Sequence, residues 1–169
     1  MLPRSVVLSL LLATSGAVLP AQGTPATRAA AAGPADSAVR LVAAAYVRAT
    51  TASAAAQVPL LRATLRLADS LLAAAPAPAT AGRVYRRRGY AALSLSRALR
   101  GVAAGSGQCT DAQAARIEAA SATDALVAEI GPEDVAPDWR RTVLVWRLVR
   151  AEEDSATQLV HRLCTTASR

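Results

Sequence analysis

Residues 83–100 read Arg83-Val84-Tyr85-Arg86-Arg87-Arg88-Gly89-Tyr90-Ala91-Ala92-Leu93-Ser94-Leu95-Ser96-Arg97-Ala98-Leu99-Arg100. Placed at about 100° per residue, as a period of about 3.6 requires, Val84, Ala91, Leu95, Ala98, Leu99 and Val102 gather on one side. Arg83, Arg86, Arg87, Tyr90, Ser94 and Arg97 gather on the other. Between them Tyr85, Gly89, Ala92 and Ser96 form a flank of mostly small residues, where a second helix can come close. This is an amphipathic helix, and it carries six of the nineteen basic residues of the chain. Arg88 breaks the pattern by falling among Val84, Leu95 and Leu99. A guanidinium there needs a carboxylate, carbonyl oxygens or a route back to water. One reading has it snorkel outward from the helix start; the other pairs it inside the fold with an acid from another helix.

The composition extends this reading to the whole molecule. Of the 169 residues 53% are hydrophobic, but there is no Phe and aromatic residues make up only 3%, so alanine dominates. Alanine has the highest helix propensity and lets helices pack closely, and no stretch alternates with period two. The expected fold is all-α: about five helices in antiparallel helical hairpins, as a repeat-like stack or a small bundle. All nineteen basic residues are arginine, which fits a GC-rich, alanine-rich coding bias rather than a special chemistry. The net charge of +7 is uneven. Thr24 to Thr110 holds 11 Arg against Asp36 and Asp69, while Asp111 to Arg169 holds 7 Arg against 10 acids. The two halves either attract each other within the molecule, which is the simpler reading, or present a positive face to an anionic partner.

In chain order, Met1 to Gly23 has the features of a secretory signal peptide: Arg4, an apolar run from Val6 to Val18, and small residues at Ala21-Gln22-Gly23. Cleavage after Gly23 is expected, with Ala21 as the near alternative. The run is short of the ~20 residues of a membrane span, and no cysteine is placed for a lipid anchor. Residues 24–34 read as a flexible mature N-terminus and 35–169 as one all-α domain. Asp36 or Ser37 is placed to cap a first helix that ends near Thr50 and turns Val39, Val42, Ala43 and Tyr46 inward. Pro59 suits the first turn of a second helix, with Leu61, Leu65, Ala68 and Leu72 inward and an Arg66–Asp69 pair on its surface. Pro76 and Pro78 precede the central helix, and Gly101, Gly105 and Gly107 follow it. Thr110 to Gln113 fits a capping box for a fourth helix, which runs to about Ile130 and stops at Gly131-Pro132. Its apolar face is poorly defined, with Ile117, Leu126, Val127 and Ile130 spread around the axis. A fifth helix from near Pro137 to about Cys164 carries a stripe of Val145, Val149, Ala156, Leu159, Val160 and Leu163. Glu152 falls inside that stripe as Arg88 does in its own, which makes Glu152 one candidate partner for Arg88; Asp124 is the other.

Tyr85, Gly89 and Ala92, with the preceding Leu71-Leu72-Ala73-Ala74-Ala75-Pro76, resemble a tetratricopeptide repeat over roughly Leu60 to Arg100. The spacing is similar to that repeat's aromatic residue, close-packing glycine and following inward residue. The match departs at Arg88, where the repeat usually has leucine, and at Ala92, where it often has tyrosine. The resemblance implies stacked helical hairpins and a protein-binding role.

The chemistry-bearing residues are few. His161, the single histidine, lies on the polar face of the fifth helix with only Asp154 and Gln158 on its own helix as polar neighbours. There are too few Cys, His and clustered acids for a zinc site, and there is no phosphate loop, dinucleotide fingerprint or nucleophile elbow. No cofactor, no metal and no catalytic set are expected. The candidate binding surface is the anionic-ligand face of Arg83, Arg86, Arg87, Tyr90, Arg97 and Arg100, whose simpler reading is a solvated basic face. Export argues against nucleic acid as its partner. The expected partner is another envelope protein, with an anionic ligand or membrane surface as the alternative. Cys109 and Cys164, the only cysteines, are expected to form a disulfide, since export leads to an oxidising compartment and an antiparallel pair of helices brings the two together.

Overall fold

The computed structural model describes residues 33–130 and 139–166. Over these the chain forms α1 (Pro34–Thr50), α2 (Ala54–Ala73), α3 (Pro78–Ser106), α4 (Cys109–Ile130) and α5 (Trp139–Thr166), with no strand among the described residues. The all-α architecture of five helices is therefore as expected from the sequence. The signal-peptide segment, the mature start near Thr24 and the Gly131-Pro132 turn lie outside the described residues.

The helix ends differ from the sequence reading in ways that local chemistry explains. Gly33, not Asp36 or Ser37, precedes α1; Pro34 takes the first position and Asp36 sits in the first turn, where a carboxylate faces the positive end of the helix dipole. α2 starts five residues before Pro59, so the proline lies inside it. The run of Ala54 to Gln57 is favourable enough to extend the helix upstream, and the Gln57 side chain donates back to Thr50 O and Ala52 O, tying the α1–α2 link. After α2, Ala75 adopts φ 49°, the left-handed conformation that glycine usually supplies at a helix end, and Pro76 follows it. α3 runs through Gly101 and Gly105 and ends only at Gly107, whose φ is 70° and whose N–H donates to Ala103 O. α4 begins at Cys109, so Thr110 lies within the helix instead of capping it. Ser106 does the polar work at that junction, accepting from the Gln108 N–H and donating to Asp111.

α3 packs against all four other helices, most extensively against α4. Val84, Ala91, Leu95 and Leu99 are buried as expected, but Val102 is 44% exposed, and Leu93, on the side away from that stripe, is buried too. The small flank is where α4 lies. At Gly89 an added Cβ would stand 2.6 Å from Leu126 Cγ, so the close approach requires glycine. The facing side of α4 is built of Ala112, Ala115, Ala119, Ala122 and Ala125, all buried. This alanine seam corrects the reading of α4 as lacking a defined face: the face is there, but in small residues, while Ile117 is 64% exposed.

Contacts fix the directions. Asp36 meets Arg83 and Tyr46 meets Ser94, so α1 and α3 run parallel. Glu152 meets Ser96 and Arg100 and Leu159 clusters with Ala103, so α3 and α5 run parallel as well. α4 runs against α3, with Arg86 meeting Glu129 at one end and Ala103 meeting Ala112 at the other. Cys109 and Cys164 are joined by a disulfide with Cα atoms 4.9 Å apart, which ties the start of α4 to the end of α5. α4 starts two residues earlier than a Thr110 cap would place it, so Cys109 is its first residue and the bridge leaves directly from the helix start.

Candidate functional site

The arginines of α3 do not stand free as a basic face; most of them reach other helices. Arg83 pairs with Asp36 of α1 at 2.6 Å, both side chains about half exposed. Arg86 pairs with Glu129 of α4 through Nε and Nη2. Arg97 and Arg100 converge on Glu152 of α5. The attraction between the basic front and the acidic back of the chain is thus realised within the molecule. Arg87 is half-buried with no ion-pair partner among the described residues, and Tyr90 is half-buried on the same side as Arg83 and Arg97.

Glu152 is the centre of the tightest polar cluster. It is 4% exposed, on the stripe of α5 that faces α3. One oxygen accepts from Ser96 Oγ at 2.9 Å and from Arg100 Nε at 2.6 Å; the other accepts from Arg100 Nη2 at 2.9 Å and Arg97 Nε at 3.3 Å. Burial works against the ionised form, but the hydrogen bonds from Arg100 and Ser96, the charge of Arg100 and the bond from Arg97 outweigh it and hold the carboxyl below its ordinary value. Arg100 takes both oxygens, so Arg97 is left with a single long bond and a side chain that is half exposed.

Arg88 is partnered differently from either expectation. Its Nε donates to Asp69 at 2.5 Å, and Nη1 donates to Ser121 Oγ at 2.9 Å. Neither Glu152 nor Asp124 is its ion-pair partner. Arg88 projects toward the gap between α2 and α4, whereas Glu152 approaches the other side of α3, where Ser96 and Arg100 lie. Asp69 in turn serves Arg88 and not Arg66. Arg88 does pair with an acid of another helix, but Asp69 is half exposed, so the pair lies at the surface and not in the core; the sequence reading assigns Asp69 to Arg66 on its own helix and so passes it over. Around this pair a cleft of about 430 Å³ opens, bordered by Tyr85, Ser121 and Asp124. Glu118 lies near it; burial raises its carboxyl above the ordinary value, with Arg62 and Arg88 opposing and Asp69 adding to the rise.

Elsewhere the chemistry is sparse. His161 is exposed on α5. Among the described residues no group of three His, Cys, Asp or Glu side chains is placed to hold a metal ion, and no helix is long and apolar enough to cross a membrane. The disulfide is consistent with an oxidising compartment. Large apolar side chains stand exposed on every helix: Leu41 and Val47 on α1, Leu60 on α2, Val102 on α3, Ile117 and Val127 on α4, and Val143, Leu144 and Leu148 on α5. No protein-family profile, no curated protein and no solved structure matches the chain.

Proposed function

We propose that this chain is an exported, non-catalytic protein of helical hairpins, arranged in the manner of tetratricopeptide repeats, that binds another protein of a bacterial periplasm or envelope. The observation that carries the reading is the alternation of directions. α1, α3 and α5 run the same way, each packed on the next, while α2 and α4 join them. Such an arrangement leaves one side of the α1–α3–α5 layer open to a partner, as repeat stacks do. Export is supported by the signal-like N-terminal sequence and by the Cys109–Cys164 bond, which fits a periplasmic or extracellular location.

The alternative is an envelope protein that takes an anionic ligand or membrane surface through the arginines of α3. The half-exposed Arg97 supports it; the ion pairs of Arg83, Arg86 and Arg100 count against it. Salt separates the two. The processed chain, immobilised and challenged with envelope extract, is expected to retain its partner at 0.3 M salt, where the Debye length falls to roughly 6 Å. A bound fraction that is recovered at low salt and lost entirely at 0.3 M, with vesicles of anionic lipid competing for it, would favour the alternative. Intact-mass analysis of the chain from its exporting host checks the first half of the reading: a mass that includes Met1 to Gly23 makes that segment an anchor.

A further inference from the structure

The open side of the α1–α3–α5 layer has a particular chemistry, and it rests on the protein-binding reading above. Asp36 of α1 reaches Arg83, so the side of α1 that carries Asp36 borders this layer. Arg40 follows Asp36 by one turn, and Val47 lies on the same side two turns further on, 56% exposed. On α3, Arg83, Arg86, Tyr90 and Arg97 share one side at spacings of three, four and seven residues. On α5, Leu148 and Leu144 lie one and two turns before Glu152, which reaches α3. Because α3 and α5 run parallel, those two leucines come level with the stretch of α3 around Tyr90 and Ser94. They are 60% and 51% exposed for Leu144 and Leu148.

The charge on this side does not cancel. Arg83, Arg86, Arg97 and Arg100 share three carboxylates, Asp36, Glu129 and Glu152, and among the described residues Arg40 donates only to the Asp36 backbone carbonyl. Two guanidiniums share Glu152, and Arg100 already occupies both of its oxygens. Most donors of Arg97 therefore face outward, in the planar fork that suits a carboxylate. The Arg83–Asp36 pair is half exposed on both sides, so a second carboxylate can join it at little cost. A uniform polyanion would meet Asp36 here and would gain nothing from Val47, Leu144 and Leu148. A chain that mixes carboxylates with apolar side chains uses all of them.

We infer that the open side of the α1–α3–α5 layer, with Arg97 and Arg83 as its charged contacts and Leu144 and Leu148 as its apolar edge, docks an acidic amphipathic segment of a partner protein. The probe is a fluorescein-labelled peptide of about fourteen residues with Glu and Leu at helical spacing, titrated with the oxidised, processed chain and followed by anisotropy. Its controls carry Gln or Lys in place of every Glu. The Glu/Leu peptide is expected to bind at least tenfold tighter than either control. Arg97→Gln is expected to weaken it at least fivefold, and so is the Leu144→Ser/Leu148→Ser pair. Arg116→Gln, at an exposed position of α4, leaves binding unchanged. All these side chains are about half exposed or more, so circular dichroism and thermal melts should match the wild type.

Equal binding of the Glu and Gln peptides refutes the charge complementarity. Insensitivity to both α3 and α5 substitutions refutes the site. Binding to phosphatidylglycerol-containing vesicles with no binding of the peptide assigns the face to a membrane surface and overturns the inference. A native partner captured equally well by wild type and by Arg97→Gln/Leu148→Ser protein refutes this site while leaving the protein-binding reading in place.

Discussion

Replacing Glu152 by Gln should cost about 2–3 kcal/mol of stability at neutral pH. Removing one member of a buried ion pair typically costs about 3–5 kcal/mol, because the remaining charge is left uncompensated. That figure is reduced here, because Arg97 is half exposed and Arg100 about a third exposed, and both can turn partly to water. It is not reduced to the level of a surface pair, because Glu152 is only 4% exposed and Ser96 is fully buried beside it. Glutamine keeps the volume but turns an N–H₂ group toward the Arg97 and Arg100 donors. Equilibrium urea unfolding of the oxidised protein measures the loss, and a double-mutant cycle should give Arg100 a larger coupling to Glu152 than Arg97. The pH dependence supplies a second reading. The folded carboxyl is held below its ordinary value, so its stabilisation is present above the unfolded pKa of about 4.3. It is lost as pH falls through the lower folded value. The gap between wild type and Glu152→Gln should therefore narrow on acidification. Glu118, raised by burial, acts in the opposite sense: its ionised form opposes folding at neutral pH, and protonation relieves that. A Glu152→Gln protein within about 0.5 kcal/mol of wild type at pH 7, or a gap constant down to pH 3, refutes the argument.

Three further outcomes follow from the packing and the covalent link. Gly89→Ala should destabilise by about 1–2 kcal/mol, since overpacking against Leu126 exceeds the gain in helix propensity. In a Leu126→Ala background the same change should turn stabilising, and a urea series on the four proteins decides it. The Cys109→Ser/Cys164→Ser protein should lose about 4 kcal/mol in the chain-entropy model for a bridge spanning 55 residues, less any strain; a loss below about 1 kcal/mol would mean that α4 and α5 are held together almost entirely by packing. Ala75→Gly should stabilise by about 0.5–1 kcal/mol by relieving the left-handed alanine, seen as a rise in Tm; a fall would show that this conformation is not strained in solution.

What could be read in the sequence depended on side-chain size and on range. α3 and α5 were legible because their leucines and valines mark one face against arginines on the other. α4 was not, because its buried seam is mostly alanine, with Leu126 as its one large buried aliphatic among the described residues, while Ile117 and Val127 face out. A search for large apolar residues misses such a helix; the run of small residues at spacings of three and four from Ala112 to Ala125 is the signal that would have found it. The disulfide was legible because two cysteines leave one pairing. The partners of the charged residues were not. Asp69 stands 19 residues from Arg88, and Glu152 stands 56 from Ser96, and at that range a helical wheel gives the face of a side chain but not the helix opposite it.

The same alanine seam explains why the arginines are placed as they are. Large core side chains fix how one helix slides and turns on another by fitting into gaps; a row of alanines offers shallow gaps that repeat each turn. In this molecule α3 reaches each of the other helices with a guanidinium: Arg83 to Asp36 on α1, Arg88 to Asp69 on α2, Arg86 to Glu129 on α4 and Arg100 to Glu152 on α5. A shift of one turn, about 5.4 Å, would separate Arg86 from Glu129 while leaving most alanine contacts between α3 and α4 intact. The part-exposed pairs therefore contribute little to the depth of the native state, and their effect is on the choice of register, the role best attested for a buried charge such as Glu152. The arrangement also accounts for Arg97. Arg100 alone satisfies both oxygens of Glu152, so register does not require a second guanidinium there, and its half-exposed side chain on the open side of the layer is left for a partner.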